Sequence, residues 1–322
     1  MSKKHWFWIR LYIAVFLAPA SAVAFEAAAA PGPTPPEVRL ARLAAKNVRA
    51  PSPDELKKME AAAPDEPPAK PAKPRKLLVW GHSWTHTPNV FAEEAIKVLG
   101  NKTGAFEAEV TDDPRLLLPD RIGRFDAVVM NNIHERDPFL PDDFGRRTEP
   151  EKEAARKFDA AVKASILEYV AGGRGLVGTH AATAALQTWP EYGEMIGGYY
   201  GGHIFQDVVI KPEEPGHPVT ACFEGKPFEI NDEIYIFREP YSRAKVRVLL
   251  SLDLERMPDP GKRPDKDYAV SWVRQHGQGR VFYTTLGHCE ATYLNPLFLR
   301  HLLAGIQFAI GDLKAEATPS GK

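Results

Sequence analysis

Apolar and polar residues follow a regular pattern through the first half of the folded region, between residues 76 and 183. Short apolar runs alternate with longer segments in which apolar residues recur every three or four positions. The short runs predict buried strands and the longer segments predict helices. We predict strands over residues 76–80, 106–111, 125–130 and 174–178, and helices over 89–99 and 149–171. This order predicts an α/β fold: a doubly wound, mainly parallel sheet with helices on both faces.

After residue 200 the apolar runs become shorter, and Pro, Gly and Asp separate them. Several runs alternate apolar and polar residues with period two, which is typical of half-buried antiparallel strands. We predict strands over 207–211, 228–230, 234–237, 246–252, 268–274 and 280–286, and a closing helix over 296–310. The C-terminal half therefore extends the same sheet with antiparallel strands. The polar tail over 312–322 is predicted to fray.

The first 24 residues have the pattern of a secretory signal peptide. Basic residues precede an apolar run over 11–20, and the small residues Ala22 and Ala24 follow it. This arrangement predicts cleavage after Ala24 and a mature protein that works in a periplasm or outside the cell. The alternative is an uncleaved anchor, the one case in which we expect contact with a membrane.

Residues 25–75 are rich in Ala, Pro, Lys and Glu and poor in large apolar side chains. Such a segment cannot bury a core of its own, so we predict a disordered linker. Short helices over 38–48 and 52–63 are compatible with its pattern. The folded domain is predicted to cover residues 76–311.

Composition excludes some classes of partner. The 322-residue chain has a net charge of −1 and no basic patch with interleaved aromatic residues, so no nucleic-acid partner is expected. Cys222 and Cys289 have no metal-binding spacing; they are either free thiols or, in an exported protein, one disulfide. No Gly-x-Gly-x-x-Gly follows the first strand, so we expect no nucleotide cofactor. The sequence leaves open whether the protein forms a homo-oligomer.

One histidine lies in a turn made of small residues. The fourth predicted strand runs into Gly178-Thr179-His180-Ala181-Ala182. Small residues on both sides of one reactive side chain suit a sharp strand-to-helix turn. Nucleophile elbows of hydrolases have this form, but an imidazole serves as a base, an acid or a metal ligand. His180 is therefore our first candidate for chemistry.

Other histidines follow the ends of other predicted strands. Because ligands bind outside the carboxyl ends of the strands in an open α/β sheet, these histidines are expected to share a pocket. The candidate metal ligands, for Zn²⁺ above all, are His86, His134, His180 and His288. The candidate catalytic residues, which could also act without a metal as general acid and base, are His180, His288 and Glu233. The candidate substrate-binding residues are His82, Trp84, Trp189, His203 and Tyr235. His301, in the last helix, is predicted to be a packed or surface residue.

Several blocks of residues resemble the ThuA-like (trehalose-utilisation) family, a branch of the class I glutamine amidotransferase-like fold. The matching blocks lie at residues 175–182, 189–192, 197–203, 217–220, 232–235, 277–283 and 286–288. The resemblance implies a flavodoxin-like sheet and a link to trehalose, related disaccharides or their 3-keto forms. Amidotransferase chemistry does not carry over, because His180 stands where that fold has its elbow cysteine.

Three functions follow from these observations. The favoured one is an exported carbohydrate-active enzyme, a hydrolase or lyase acting on a glycoside or keto-sugar. The second is a non-catalytic sugar-binding or accessory protein that keeps the pocket without turnover. The third is an amidase-type hydrolase that uses Cys289 as its nucleophile.

Overall fold

The computed structural model describes residues 36–45, 48–83 and 86–320. In this part of the chain nine strands form one sheet. The strands are β1 (Lys76–Trp80), β2 (Glu107–Thr111), β3 (Ala127–Asn131), β4 (Gly175–Thr179), β5 (Tyr199–Pro212), β6 (Phe228–Arg238), β7 (Arg247–Leu252), β8 (Ala269–His276) and β9 (Gly279–Thr284). The helices are α1 (Pro36–Ala45), α2 (Pro53–Ala62), α3 (Asn89–Thr103), α4 (Pro119–Ile122), α5 (Glu149–Ala171), α6 (Pro190–Ile196) and α7 (Pro296–Ile310).

The sheet has the strand order β2-β1-β3-β4-β9-β8-β7-β5-β6. The neighbours from β2 to β9 are parallel, and each later pair is antiparallel. This order confirms the predicted parallel sheet with an antiparallel extension. All parallel strands end at one edge of the sheet, so the loops that follow them meet there.

Alternate residues of the parallel strands enter two separate cores. Leu77 and Val79 of β1 join the core that contains residues of α3 and α7. Leu78 and Trp80 join the core that contains residues of α5 and α6. Because successive strand residues point to opposite faces, the sheet has helices on both faces. This arrangement explains why the inner strands β1 and β3 are nearly continuous apolar runs, whereas β2, at the edge of the sheet, is only half-buried.

Strand β5 is longer than its pattern predicts. It begins at Tyr199, whereas the sequence predicts a strand only from residue 207. The pairing of β5 with β6 shifts register between Tyr200 and Gly202. Glycines at this irregularity interrupt the period-two pattern and hide the strand from sequence analysis. The segments predicted at 228–230 and 234–237 are parts of one strand, β6.

The prediction of a disordered linker is wrong for the described part of residues 36–75. The predicted second helix is present as α2, and Ser52 forms a capping box with Glu55 at its start. The Met59 side chain is fully buried in the core that α3 lines. In α1, Arg39 forms a buried ion pair with Glu93 of α3. A few side chains therefore hold this segment against the domain, although its overall composition predicts a solvated linker.

The polar tail also packs, contrary to the prediction of a frayed end. Leu313 and Ala317 are buried, and Asp312 pairs with Arg75. The segment predicted as a signal peptide lies outside the described residues. Over the ranges given above, no helix combines the length and apolar character required to span a membrane.

Candidate functional site

His180 lies at a sharp turn directly after β4. Its backbone φ is +41°, a left-handed conformation that is uncommon outside glycine. A short 3₁₀ helix over His180–Thr183 begins at this residue. A Cβ at Gly178 would lie 2.7 Å from the Ile196 side chain and 3.0 Å from the Tyr283 ring, so a larger residue would force these side chains to move. The backbone therefore has the predicted elbow geometry, which places the imidazole at the carboxyl edge of the sheet.

Hydrogen bonding determines which nitrogen of His180 carries the proton. Nδ1 lies 2.6 Å from the carbonyl oxygen of Thr285, which can only accept, so Nδ1 donates. In the neutral ring Nε2 then carries a lone pair. This nitrogen lies 3.1 Å from Nδ1 of His288 and 3.3 Å from Oε2 of Glu233. The fully buried ring of His180 thus presents its lone pair to two other candidate residues.

Asp232 holds the loop that carries His288. Its buried carboxylate accepts hydrogen bonds from three successive backbone N–H groups, those of Gly287 at 2.8 Å, His288 at 3.0 Å and Cys289 at 2.9 Å. The Thr292 hydroxyl donates a fourth, at 2.9 Å. No local pattern marks Asp232 as a functional residue; its position beside Glu233 is the available signal. Asp232 is a positioning residue for His288.

Glu233 reaches the site from the antiparallel part of the sheet. The Tyr235 N–H donates to the Thr285 hydroxyl at 3.0 Å, which ties β6 to the loop after β9. Glu233 Oε2 lies 3.4 Å from His288 Nδ1, and its Oε1 lies 3.5 Å from His203 Nε2. The hairpin of β5 and β6 therefore brings a carboxylate over the carboxyl ends of the parallel strands.

His86 completes the group from the loop after β1. Its ring centroid lies 5.2 Å from that of His180 and 5.4 Å from that of His288. Its Nδ1 is buried and has no hydrogen-bond partner among the described residues. Buried nitrogens without a partner are rare in proteins, and this one is available to a ligand.

Electrostatics favour the ligand forms of these side chains. Burial, and then the nearby His180, His134 and His288, lowers the pKa of His86 to about 2. Burial and His180 lower the pKa of His288, although Glu233 and Asp232 oppose the shift. Burial acts to raise the pKa of Glu233, but interactions with the surrounding histidines outweigh it and leave that pKa below its ordinary value. Neutral imidazoles around an ionised carboxylate are the protonation states that bind a cation.

The distances among these donor atoms match those around a single bound cation. The three contacts among His180, His288 and Glu233 measure 3.1, 3.3 and 3.4 Å. Ligand atoms about 2.0–2.1 Å from a tetrahedral Zn²⁺ lie roughly 3.3 Å apart. With both rings neutral, a single proton is shared among these three atoms, so hydrogen bonding cannot satisfy all three contacts. The donor atoms of His86, His180, Glu233 and His288 all lie within 4.8 Å of one another.

Three of the four predicted metal ligands are thus together, and Glu233 takes the place of His134. His134 is exposed at the rim, with its ring centroid 4.9 Å from that of His86. His203 lies at the mouth with 46% of its side chain exposed, and Tyr200 Oη lies 2.8 Å from its Nδ1.

Two predicted substrate-binding aromatics are buried, which contradicts their predicted role. Trp189 stacks on Tyr192 in the core under α6. Tyr235 packs beneath His180, with ring centroids 4.4 Å apart, and is 2% exposed. An apolar pattern cannot distinguish a core aromatic from one that faces a ligand. The Tyr235 ring supports His180 from below.

The remaining predicted substrate-binding residues are His82 and Trp84. His82 stacks on Trp80 with ring centroids 5.8 Å apart, and its Nε2 lies 3.9 Å from Asp142. Trp84 lies outside the described residues.

Cys289 is poorly suited to nucleophilic attack. Burial, with the nearby Asp232 carboxylate next, raises the pKa of its thiol to about 12. Because the thiolate is the attacking species, this shift opposes the amidase function. Cys222 and Cys289 are both free thiols, so the disulfide left open by the sequence is not formed.

With this geometry established, similarity to known proteins assigns a family. Residues 76–309 match the model of the ThuA family, described as trehalose utilisation. The chain belongs to the ThuA family. The resemblance noted in the sequence is thereby confirmed, and it associates the chain with carbohydrate metabolism.

Solved structures share the ThuA fold. A putative ThuA-like protein from Bacteroides uniformis is 23% identical with a TM-score of 0.56, over 75% of this chain and 94% of that one. Another, from Parabacteroides merdae, is 21% identical with a TM-score of 0.49, over 74% and 91% of the two chains. Identities this low show the fold alone. No curated protein matches the chain.

Proposed function

We propose that this ThuA protein is an exported carbohydrate-active enzyme, a hydrolase or lyase that acts on a glycoside or keto-sugar. The observation that carries the proposal is the three-way contact of His180, His288 and Glu233 at the carboxyl edge of the sheet. Such a constellation supplies acid, base and metal-ligand groups at one point, in a family described as trehalose utilisation.

We further propose that these three residues bind a divalent cation, Zn²⁺ in the first instance, with His86 as a fourth donor. Two histidines and one glutamate form a known ligand set of catalytic zinc. When bound, such an ion polarises a carbonyl group or activates water. The unpartnered Nδ1 of His86 and the spacing of the other donors support this assignment.

The residues around His180 and His288 would keep the metal-binding atoms in position. The Thr285 carbonyl keeps the proton of His180 on Nδ1, and thus its lone pair on Nε2. Backbone–ligand bonds of this kind orient metal-binding histidines in other proteins. Asp232 fixes the backbone of the His288 loop. His203, at the mouth, would contact hydroxyl groups of the carbohydrate.

Metal analysis of the purified protein, combined with assays on trehalose and 3-keto-glucosides, tests the proposal. We expect about one equivalent of metal per chain in the wild type and a large loss in His180→Ala, His288→Ala and Glu233→Gln. His276→Ala is the matched control, because His276 ends β8 at the opposite end of the sheet. Less than about 0.2 equivalents in wild-type protein purified without chelators would contradict the metal site. Intact sugar binding without turnover would favour the non-catalytic binding protein.

Export is supported by the pattern of the first 24 residues. N-terminal sequencing of the protein from its native host is expected to begin at Phe25. A chain in the cytoplasm that retains Met1 would contradict export.

A further inference from the structure

Phe205 differs from the other described aromatic residues in its exposure to solvent. Among the large hydrophobic side chains that the structure describes, it is the exposed one, with 58% of its surface accessible. Its ring centroid lies 5.6 Å from that of His288, with the ring planes inclined at 61°. The apolar ring is therefore at the mouth of the candidate site.

Strand register explains why Phe205 faces the site. In the hairpin of β5 and β6, Phe205 pairs with Glu233, and His203 pairs with Tyr235. Directly opposed residues of antiparallel strands have their side chains on the same face. Phe205, His203 and Glu233 thus share the face that covers the strand ends. Gln206, the next residue, is directed to the other face.

We propose that Phe205 is a specificity-determining residue that stacks against the apolar C–H face of a pyranose ring. The sugar ring would lie against the exposed side of the Phe205 ring, with its hydroxyl edge towards His203 and Glu233. This inference rests on the proposed function, since it assigns the substrate class to that same site. Exposed aromatic rings suit the task, because they offer a flat apolar surface at low cost in conformational entropy.

A packing role does not account for the position. A side chain that is more than half exposed contributes little to the core, and surface substitutions of this kind leave stability almost unchanged. The Phe205→Ala protein is expected to fold, to unfold at the wild-type temperature and to bind the same amount of Zn²⁺. A change in sugar affinity alone would therefore report on stacking.

Isothermal titration with trehalose, maltose and cellobiose tests the inference on the wild type, Phe205→Ala, Phe205→Trp and the control Gln206→Ala. For the sugar that binds the wild type, we expect about tenfold weaker binding by Phe205→Ala, from the apolar area that stacking removes from water. Phe205→Trp should retain the affinity, and Gln206→Ala should match the wild type.

Unchanged affinity in Phe205→Ala would overturn the inference and leave the proposed function intact. A change in oligomeric state alone would also overturn it. If the wild type binds none of the three sugars and no 3-keto-glucoside either, the proposed function fails and this inference fails with it.

Discussion

Replacing Asp232 with asparagine is expected to release the His288 loop. One carboxylate oxygen accepts from the N–H groups of His288 and Cys289, and the other from the Gly287 N–H and the Thr292 hydroxyl. An asparagine oxygen can replace only one of these oxygens, so its NH₂ group faces at least one backbone donor.

The cost follows from these bonds. A buried donor left without a partner costs about 1–3 kcal/mol. The surviving bonds also lose the assistance of a charged acceptor, each at a few tenths of a kcal/mol or more. We therefore expect a loss of about 3 kcal/mol, which for a domain of this size lowers Tm by roughly 6–12 °C.

Thermal unfolding followed by circular dichroism measures the effect, and zinc affinity is measured on the same samples. The control is Asp207→Asn, because exposed Asp207 accepts one hydrogen bond, from Asn231. Zinc binding should weaken about 10- to 100-fold in Asp232→Asn, as for other residues that orient metal ligands. A Tm within 2 °C of the wild type (the order of a sub-kcal/mol effect, about 2–4 °C per kcal/mol) together with unchanged zinc affinity would refute the reasoning.

Three further predictions concern Cys289, His301 and Met59. Cys289→Ser should retain activity, because the raised pKa keeps the thiol protonated. A folded but inactive variant would instead support the hypothesis of an amidase-type hydrolase. Burial lowers the pKa of His301 from 6.5 to about 4, so between these values the unfolded chain binds a proton that the folded chain does not. Stability should then fall by about 3 kcal/mol as pH drops from 6.5 to 4, and denaturant unfolding of His301→Gln should lack this component; parallel curves for the two proteins would contradict it. Met59→Ala should lose about 2–5 kcal/mol in urea unfolding, whereas a loss below about 1 kcal/mol would mean that α2 does not belong to the core.

The fold was largely predictable because its signals are local. Continuous apolar runs and amphipathic helices alternate along residues 76–183, and the parallel strands β1, β3 and β4 are buried on both faces. Histidines after the strand ends located the site, since parallel strands deliver their loops to one edge of the sheet. The prediction for His301 is also confirmed: the ring is buried, between the Val219 carbonyl and the Ser271 hydroxyl.

Long-range packing explains what the sequence did not reveal. Glu233 meets His180 because the hairpin of β5 and β6 crosses the strand ends, and glycines conceal the beginning of that hairpin. Four of the hydrogen bonds that Asp232 accepts join residues more than fifty positions apart. Docking of α2 depends on single contacts such as that of Met59.

Anomalous diffraction at the zinc edge, from crystals grown with Zn²⁺, tests the central claim most directly. The account predicts one peak about 2.0–2.2 Å from His180 Nε2, His288 Nδ1 and Glu233 Oε2. The peak should be lost in crystals of Glu233→Gln and kept in crystals of His276→Ala. Wild-type crystals without a peak at this point, with the three side chains hydrogen-bonded to one another, would contradict the account.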